Sequence, residues 1–251
     1  MIVLNYHRIS DRDSRSGFYT VTPAGLSAHL DVLAASRIKV VASDEVLEGR
    51  ADDKSAMLHF DDGTVDHHDT VAPLLAKHGF RAVFFISTAK LGNEGYLSES
   101  DVRAMAEAGH VIECHGHSHR RMDRMSGDEL AGELRRSVEE IHRLTGRRPR
   151  IIAPPGGFVS KRVVEIASRM GMPVVRTMRW NVNPLPLRGS LDCLVVHHGT
   201  TPQTISRWID GKGLCVLKIR YLVKQLVRAA MPLDLYLALR HRLVRERKPA
   251  N

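Results

Sequence analysis

The sequence predicts an α/β protein of parallel βα units, long enough to curl its sheet into a barrel. Three observations carry that reading. Short apolar runs alternate with stretches of helical period, the signature of strand and helix in turn. The helical stretches close on glycines such as Gly79, Gly109 and Gly171, which leaves short connections and argues against an antiparallel sandwich. At least six such units fit before residue 180, too many for a small open sheet, and 251 residues hold one large domain or two small ones.

The elements follow in order. Residues 2–6 are an apolar run ending at His7, a buried strand. Residues 22–36 form a helix with Thr22 as N-cap and Pro23 at its first position. Strands are expected at 38–42 and 56–60, the latter stopping at Asp61-Asp62-Gly63. A helix over 71–78 leads to a fully apolar strand, 82–87; a helix over 98–108 leads to a strand at 110–114. Residues 126–145 make a long helix entered through Ser126, with Glu129 three positions on as a capping box. A strand at 151–153, a helix over 161–170 and a strand at 174–177 complete the series. After Lys212 the character changes to two basic amphipathic helical stretches, 214–230 and 233–247, separated at Pro232. The expected organisation is a barrel over residues 1–212 with a basic helical extension over 213–251.

Composition narrows the function classes. Hydrophobic residues at 43% and charged residues at 26% exclude disorder and fibrous repeats. Fourteen histidines outnumber the 6 Phe, 5 Tyr and 2 Trp together, which points to metal or proton chemistry. The net charge of +9 is uneven: residues 213–251 carry 9 Lys/Arg against 2 acids, so +7 belongs to the tail and +2 to the body. Three cysteines (Cys114, Cys193 and Cys215) without CxxC spacing suggest neither a disulfide framework nor a thiolate zinc site. Cys114, facing away from His115, is expected to be buried and inert. The N-terminus lacks the basic and long apolar regions of a signal peptide, and no run approaches the ~18 apolar residues that span a bilayer. A reducing, cytoplasmic location is the expectation.

Reactive residues in parallel α/β folds sit just past the carboxyl ends of strands. Three clusters fall there. His59-Phe60-Asp61-Asp62-Gly63 carries two adjacent carboxylates that can serve one centre only if the backbone turns, as Gly63 permits; a polar turn or helix cap is the bland alternative. In His115-Gly116-His117-Ser118-His119 the outer histidines are four apart, so one helical turn would put both imidazoles on one face to chelate a divalent metal. His117 would then be exposed or support the ligands from behind, and a surface histidine cluster is the alternative. Ala153-Pro154-Pro155-Gly156-Gly157 is a rigid loop able to aim an N–H at an oxyanion, or a plain turn.

The order and spacing of these clusters say more than any one of them. Residues 59–87 (HFDDGTVDHHDTVAPLLAKHGFRAVFFIS), 109–119 (GHVIECHGHSH) and 126–157 resemble the metal-dependent polysaccharide deacetylases of the NodB-homology type, carbohydrate esterase family four. The resemblance covers residues 1–178, about two-thirds of the chain. It implies a distorted (β/α)7 barrel, with Asp61 as general base, Asp62, His115 and His119 as metal ligands, and Gly156 as oxyanion donor. It also implies a divalent metal, zinc by expectation, and an N-acetylated glycan, oligosaccharide or lipid-linked precursor as substrate.

Departures from the family pattern carry their own expectations. Ala153 stands where the family has arginine, so orientation of Asp61 must come from elsewhere; Gly156 stands where an aromatic is usual, so the cleft should be more open. His59 replaces the usual threonine. The late Leu-x-His motif that supplies the acid is missing. Residues 2–7 (IVLNYH) read like that strand moved to the N-terminus, which makes His7 the acid, with His197 of Val195-Val196-His197-His198 as the second choice. Trp180 is either a wall of the acetyl pocket or a core residue.

Two other classes remain open: hydrolysis of a non-sugar amide on a related barrel, and a non-catalytic glycan- or lipid-binding protein. Retention of both aspartates with both histidines speaks against the latter, since binding alone needs no base beside a metal. The basic tail can lie on anionic lipid, as peripheral contact with the inner face of a membrane, or pack on the barrel with a solvated basic face. Nucleic acid is not expected, because the basic stretch contains no recognition module.

Overall fold

The structure is a computed structural model and describes residues 1–11 and 17–216, with Lys218, Ile219, Leu222, Val223 and Leu226 beyond them. In chain order the elements are β1 (Ile2–Tyr6), α1 (Pro23–Ala35), β2 (Lys39–Val40), α2 (Ser43–Leu47), β3 (Ser55–Asp62), α3 (Ala72–Lys77), β4 (Val83–Ile86), α4 (Glu99–Glu107), β5 (Val111–Cys114), α5 (Gly127–Thr145), β6 (Ile151–Ile152), α6 (Lys161–Arg169), β7 (Val174–Thr177), β8 (Ser190–Asp192), β9 (Leu194–Val195) and α7 (Pro202–Ile209).

All strand pairs are parallel, in the order β8-β7-β6-β5-β4-β3-β1-β9, with β2 beside the start of β3. The two ends of that path, β8 and β9, are separated in sequence by Cys193 alone. One bent run therefore pairs with β7 through its first half and with β1 through its second, and the ring closes with seven staves. The barrel expected from the resemblance is the fold observed.

Strand alternation builds two cores. Ile2, Leu4 and Tyr6 of β1, with Leu58 and Phe60 of β3 and Phe84 of β4, pack against the helices. The intervening residues Val3, Met57, Val83, Phe85, Ile151, Val174, Leu191 and Val195 fill the inside of the ring. Asn5, His59, Asp61 and Arg176 occupy inward positions in the same alternation, so a polar layer lies above that apolar plug.

The helices start where side-chain chemistry starts them. Thr22, Ser98, Ser126, Ser160 and Thr201 each accept an N–H of the first turn, and Glu129 completes the box on α5. The strand expected at 38–42 shrinks to β2, because Glu45 caps the Ala42 N–H and draws the chain into α2. The helix expected over 71–78 begins at Ala72 after a π-helical turn at His67–Val71. Four elements were not expected: α2, β8, β9 and α7. The first three are only 5, 3 and 2 residues long and are held by tertiary contacts, whereas α7 repeats the Thr-Pro start of α1. Of the two expected tail helices, residues 214–216 and the five later described positions are helical, and 233–247 lies outside the described residues.

Candidate active site

The carboxyl ends of the parallel strands bring His7, Asp61, Asp62, His115, Gly156 and Arg176 to one pocket of about 210 Å³, with Tyr19 and His119 at its walls. The two adjacent carboxylates diverge because the turn sits one residue earlier than expected. Asp62 itself has φ +80°, a left-handed conformation uncommon for a residue with a side chain, and Gly63 follows at φ +70°. Asp61 keeps its inward strand position, while Asp62 swings toward the histidine loop.

Asp62 Oδ1 lies 3.2 Å from His115 Nε2 and 2.9 Å from His119 Nε2. Ligands of one zinc ion at about 2 Å in tetrahedral array stand about 3.3 Å apart, so these atoms match a common centre. A second observation supports the fit. His115 Nδ1 lies 2.5 Å from the carbonyl of Ala153, which can only accept, so Nδ1 carries the proton and Nε2 keeps its lone pair for a cation. The expected helical turn is not what joins the histidines. Residues 115–119 form a loop in which Gly116 (φ +82°) and His119 (φ +59°) reverse the chain. His117 points elsewhere, its Nδ1 2.9 Å from Thr88 Oγ1.

A buried carboxylate from α5 holds that loop. Glu133 Oε1 accepts the N–H groups of His117 (2.9 Å) and Ser118 (2.6 Å), and the Ser118 hydroxyl donates to Glu133 as well. Gly116 is pressed against the same group: a Cβ there would lie 2.6 Å from Met122 Cε and 3.1 Å from Glu133 Oε1. The fixed approach of α5 sets the path of the loop, and the path sets the two imidazoles.

Asp61 is held through one oxygen. Its Oδ2 accepts from Arg176 Nη2 at 2.5 Å and from Asn5 Nδ2 at 3.2 Å, while Oδ1 has no partner among the described residues. Arg176, from β7, is fully buried, lies over the Phe85 ring and also donates to Cys193 Sγ. It does the work expected from elsewhere once Ala153 took the usual arginine position. One oxygen of Asp61 is anchored, and the other keeps its lone pairs uncommitted among the described residues.

His7 stands beside Asp61, its Nε2 3.6 Å from Asp61 Oδ2. Its carbonyl accepts from His67 Nε2 at 2.8 Å, and its ring stacks on Tyr19 at 4.7 Å between centroids. His197 is not among the residues lining the pocket; it stacks on Phe18 at 4.7 Å, and Gly199 N donates to its Nδ1. Gly156 lines the pocket with φ +70°, beside Gly157, where an added Cβ would meet Met178. Trp180 is absent from the pocket wall and packs against both cores, which answers the acetyl-pocket alternative. Cys114 is buried against Ser137, and burial pushes its thiol up to about 11.

Electrostatics sort the acids from the imidazoles. Burial opposes ionisation of Asp61, yet Arg176, His115 and His7 together hold it below the ordinary carboxylate range. Asp62 is likewise penalised by burial, yet its contacts with His115 and His119 hold it far below that range. Burial lowers His7 more than Asp61 and Asp62 raise it. His59, buried against Phe85 with Arg176 nearby, is pushed down to about 3 and is a neutral part of the lumen.

The residues missed from sequence share one signal. Asn5 and Arg176 are polar residues that follow apolar ones at the inward positions of the strand alternation. Glu133 sits on the apolar face of α5 between Leu130 and Leu134, where an unpartnered carboxylate would be costly. Tyr19, from an irregular segment, gives no such signal.

The polysaccharide deacetylase family pattern matches residues 48–175. The peptidoglycan-N-acetylglucosamine deacetylase of Bacillus cereus is 28% identical over 133 residues, 53% of this chain and 46% of that protein. The chain spans about half the length of the curated relatives it matches. Among solved structures, the fold is similar to the Streptococcus pyogenes deacetylase PplD, with TM-score 0.75 and 20% identity, covering 82% of this chain and 96% of that one. IcaB from Ammonifex degensii is also similar, with TM-score 0.74 and 22% identity over 83% of this chain and 96% of its own.

Proposed function

The chain belongs to the polysaccharide deacetylase family, and from that premise we propose that it is a metal-dependent hydrolase. Its reaction is removal of N-acetyl groups from amino sugars of a cell-envelope polysaccharide, an oligosaccharide or a lipid-linked glycan precursor. The observation that carries this reading is Asp61, an ionised and anchored carboxylate with one uncommitted oxygen, in the same pocket as Asp62, His115 and His119.

Asp62, His115 and His119 would hold the metal, and two imidazoles with one carboxylate suit zinc. A bound divalent ion supplies Lewis acidity, polarising the acetyl carbonyl and favouring ionisation of the attacking water. Asp61 Oδ1 takes the proton as that water adds to the carbonyl carbon, and Arg176 and Asn5 keep the oxygen aimed. Gly156 belongs at the developing oxyanion through its N–H. His7, within 3.6 Å of Asp61, delivers a proton to the nitrogen as the C–N bond breaks, releasing acetate and a free amine.

Relatives named for N-acetylglucosamine and N-acetylmuramic acid of peptidoglycan support an N-acetylated glycan as substrate class. Acetate release from acetylated oligosaccharides, set against hydrolysis of cyclic amides, separates this reading from a non-sugar amidase. Asp61→Asn should keep the metal and the fold and lose about 10²–10⁴-fold in turnover. The double variant His115→Ala/His119→Ala should lose metal and activity together. Wild-type turnover in the first, or full metal occupancy in the second, overturns the assignment.

A further inference from the structure

We propose that Val216, Ile219, Leu222, Val223 and Leu226 present an apolar face that docks on an anionic lipid bilayer. Val216, Ile219, Leu222, Val223 and Leu226 are between 53% and 69% exposed. Elsewhere among the described residues the exposed large apolar side chains are three scattered valines, Val65, Val159 and Val164, at 37–39%. Scattered apolar residues are ordinary surface, whereas a continuous face is not. At about 100° of helix per residue, the five positions fall within an arc of about 120°, the width of stripe that a helix normally buries.

The face is held to the barrel at one end. Gly211 and Gly213 turn the chain after α7, at φ +72° and +78°, and Leu214 then packs into the core beside the helices. No helix among the described residues is long and apolar enough to cross a membrane.

Charge selects the occupant. Residues 213–251 hold 9 Lys/Arg against 2 acids, which is +7 of the chain's +9. A second copy would bring +7 against +7, and a neutral apolar partner would make no use of the bases. Anionic headgroups complement the bases while the acyl region takes up the apolar side chains. Exposed Lys218, between Val216 and Ile219, puts a cation at the edge of the face. This surface is independent of the deacetylase reading, because every group assigned to the pocket precedes residue 179.

The test uses the full chain with vesicles of phosphatidylcholine, with and without phosphatidylglycerol, followed by sedimentation. Protein should sediment with the anionic vesicles at low salt and be released in part at high salt. The variant Val216→Ser/Ile219→Ser/Val223→Ser/Leu226→Ser should partition about tenfold less or weaker still, the equivalent of about one buried apolar side chain. Its metal content and its turnover on soluble acetylated oligosaccharide should be unchanged. Leu222→Glu, which sets a carboxylate against the anionic surface, gives a second test if the fourfold variant fails to fold. Absence of sedimentation, equal binding to uncharged vesicles, or undiminished binding by both variants overturns the proposal. So does a dimer in light scattering that the variants abolish, since the face would then belong to a second copy.

Discussion

Arg176 Nη2 and Asp61 Oδ2 lie 2.5 Å apart, although 115 positions separate the two residues in the chain. Both are buried, and the pair joins β7 to β3 across the inside of the barrel. Removing one partner of a buried ion pair strands the other, at a cost of about 3–5 kcal/mol. Arg176→Ala should therefore be destabilised by that order in urea unfolding. Combining it with Asp61→Asn should recover part of the loss, because the stranded charge is gone. Fully additive losses would show that the two residues are not coupled. Arg176→Lys retains charge without the planar fork and should lie between wild type and Arg176→Ala in both stability and turnover.

His7 and His197 are separated by their surroundings. His7 lines the pocket beside Asp61, whereas His197 stacks on Phe18 outside the lining residues. His7→Ala should lower turnover by about 10²-fold or more with little loss of metal affinity. His197→Ala should change turnover far less. The reverse ranking in single-turnover assays would transfer the acid role to His197.

Glu133 accepts the main-chain N–H groups of His117 and Ser118, in the loop that joins His115 to His119. Glu133→Ala should weaken metal affinity by about 10–100-fold, the usual effect of losing a group that orients ligands. Glu133→Gln keeps a carbonyl oxygen for the same two donors and should restore most of the affinity. Chelator competition measures both; equal affinities in all three proteins would make Glu133 irrelevant to the site.

Glu113 gives a pH-dependent prediction away from the site. Burial pushes its carboxyl from 4.5 up to about 7, despite hydrogen bonds from Arg150 N, Ile151 N and Ser43 Oγ. The unfolded chain releases this proton near pH 4.5, and the folded chain keeps it until about pH 7. Stability then falls as pH rises through that window, by about 3 kcal/mol in all, and is level above it. Glu113→Gln can accept both N–H groups and donate to Ser43, and it does not ionise. Its unfolding free energy should exceed that of wild type at pH 8 and approach it near pH 4.5. A constant difference across that range would show that Glu113 does not titrate between them.

What the sequence determined by itself is local. Asp61-Asp62-Gly63, the His115/His119 pair and the proline-glycine loop each span only a few residues, where backbone geometry limits the outcomes. The seven-stave ring was legible through family resemblance, because the motif order fixes which strand ends carry chemistry. The tertiary structure alone decided what surrounds those groups. Alternation tells that Asn5 and Arg176 face inward, but not that β1 and β7 bring them to the same oxygen of Asp61; that depends on strand order and register around a closed ring. The histidine loop likewise owes its path to Glu133 on α5 and to the left-handed backbone at Gly116 and His119, rather than to a helical repeat. Spacing along a chain fixes which groups can be near each other, whereas distances between distant elements are set by how the two cores pack.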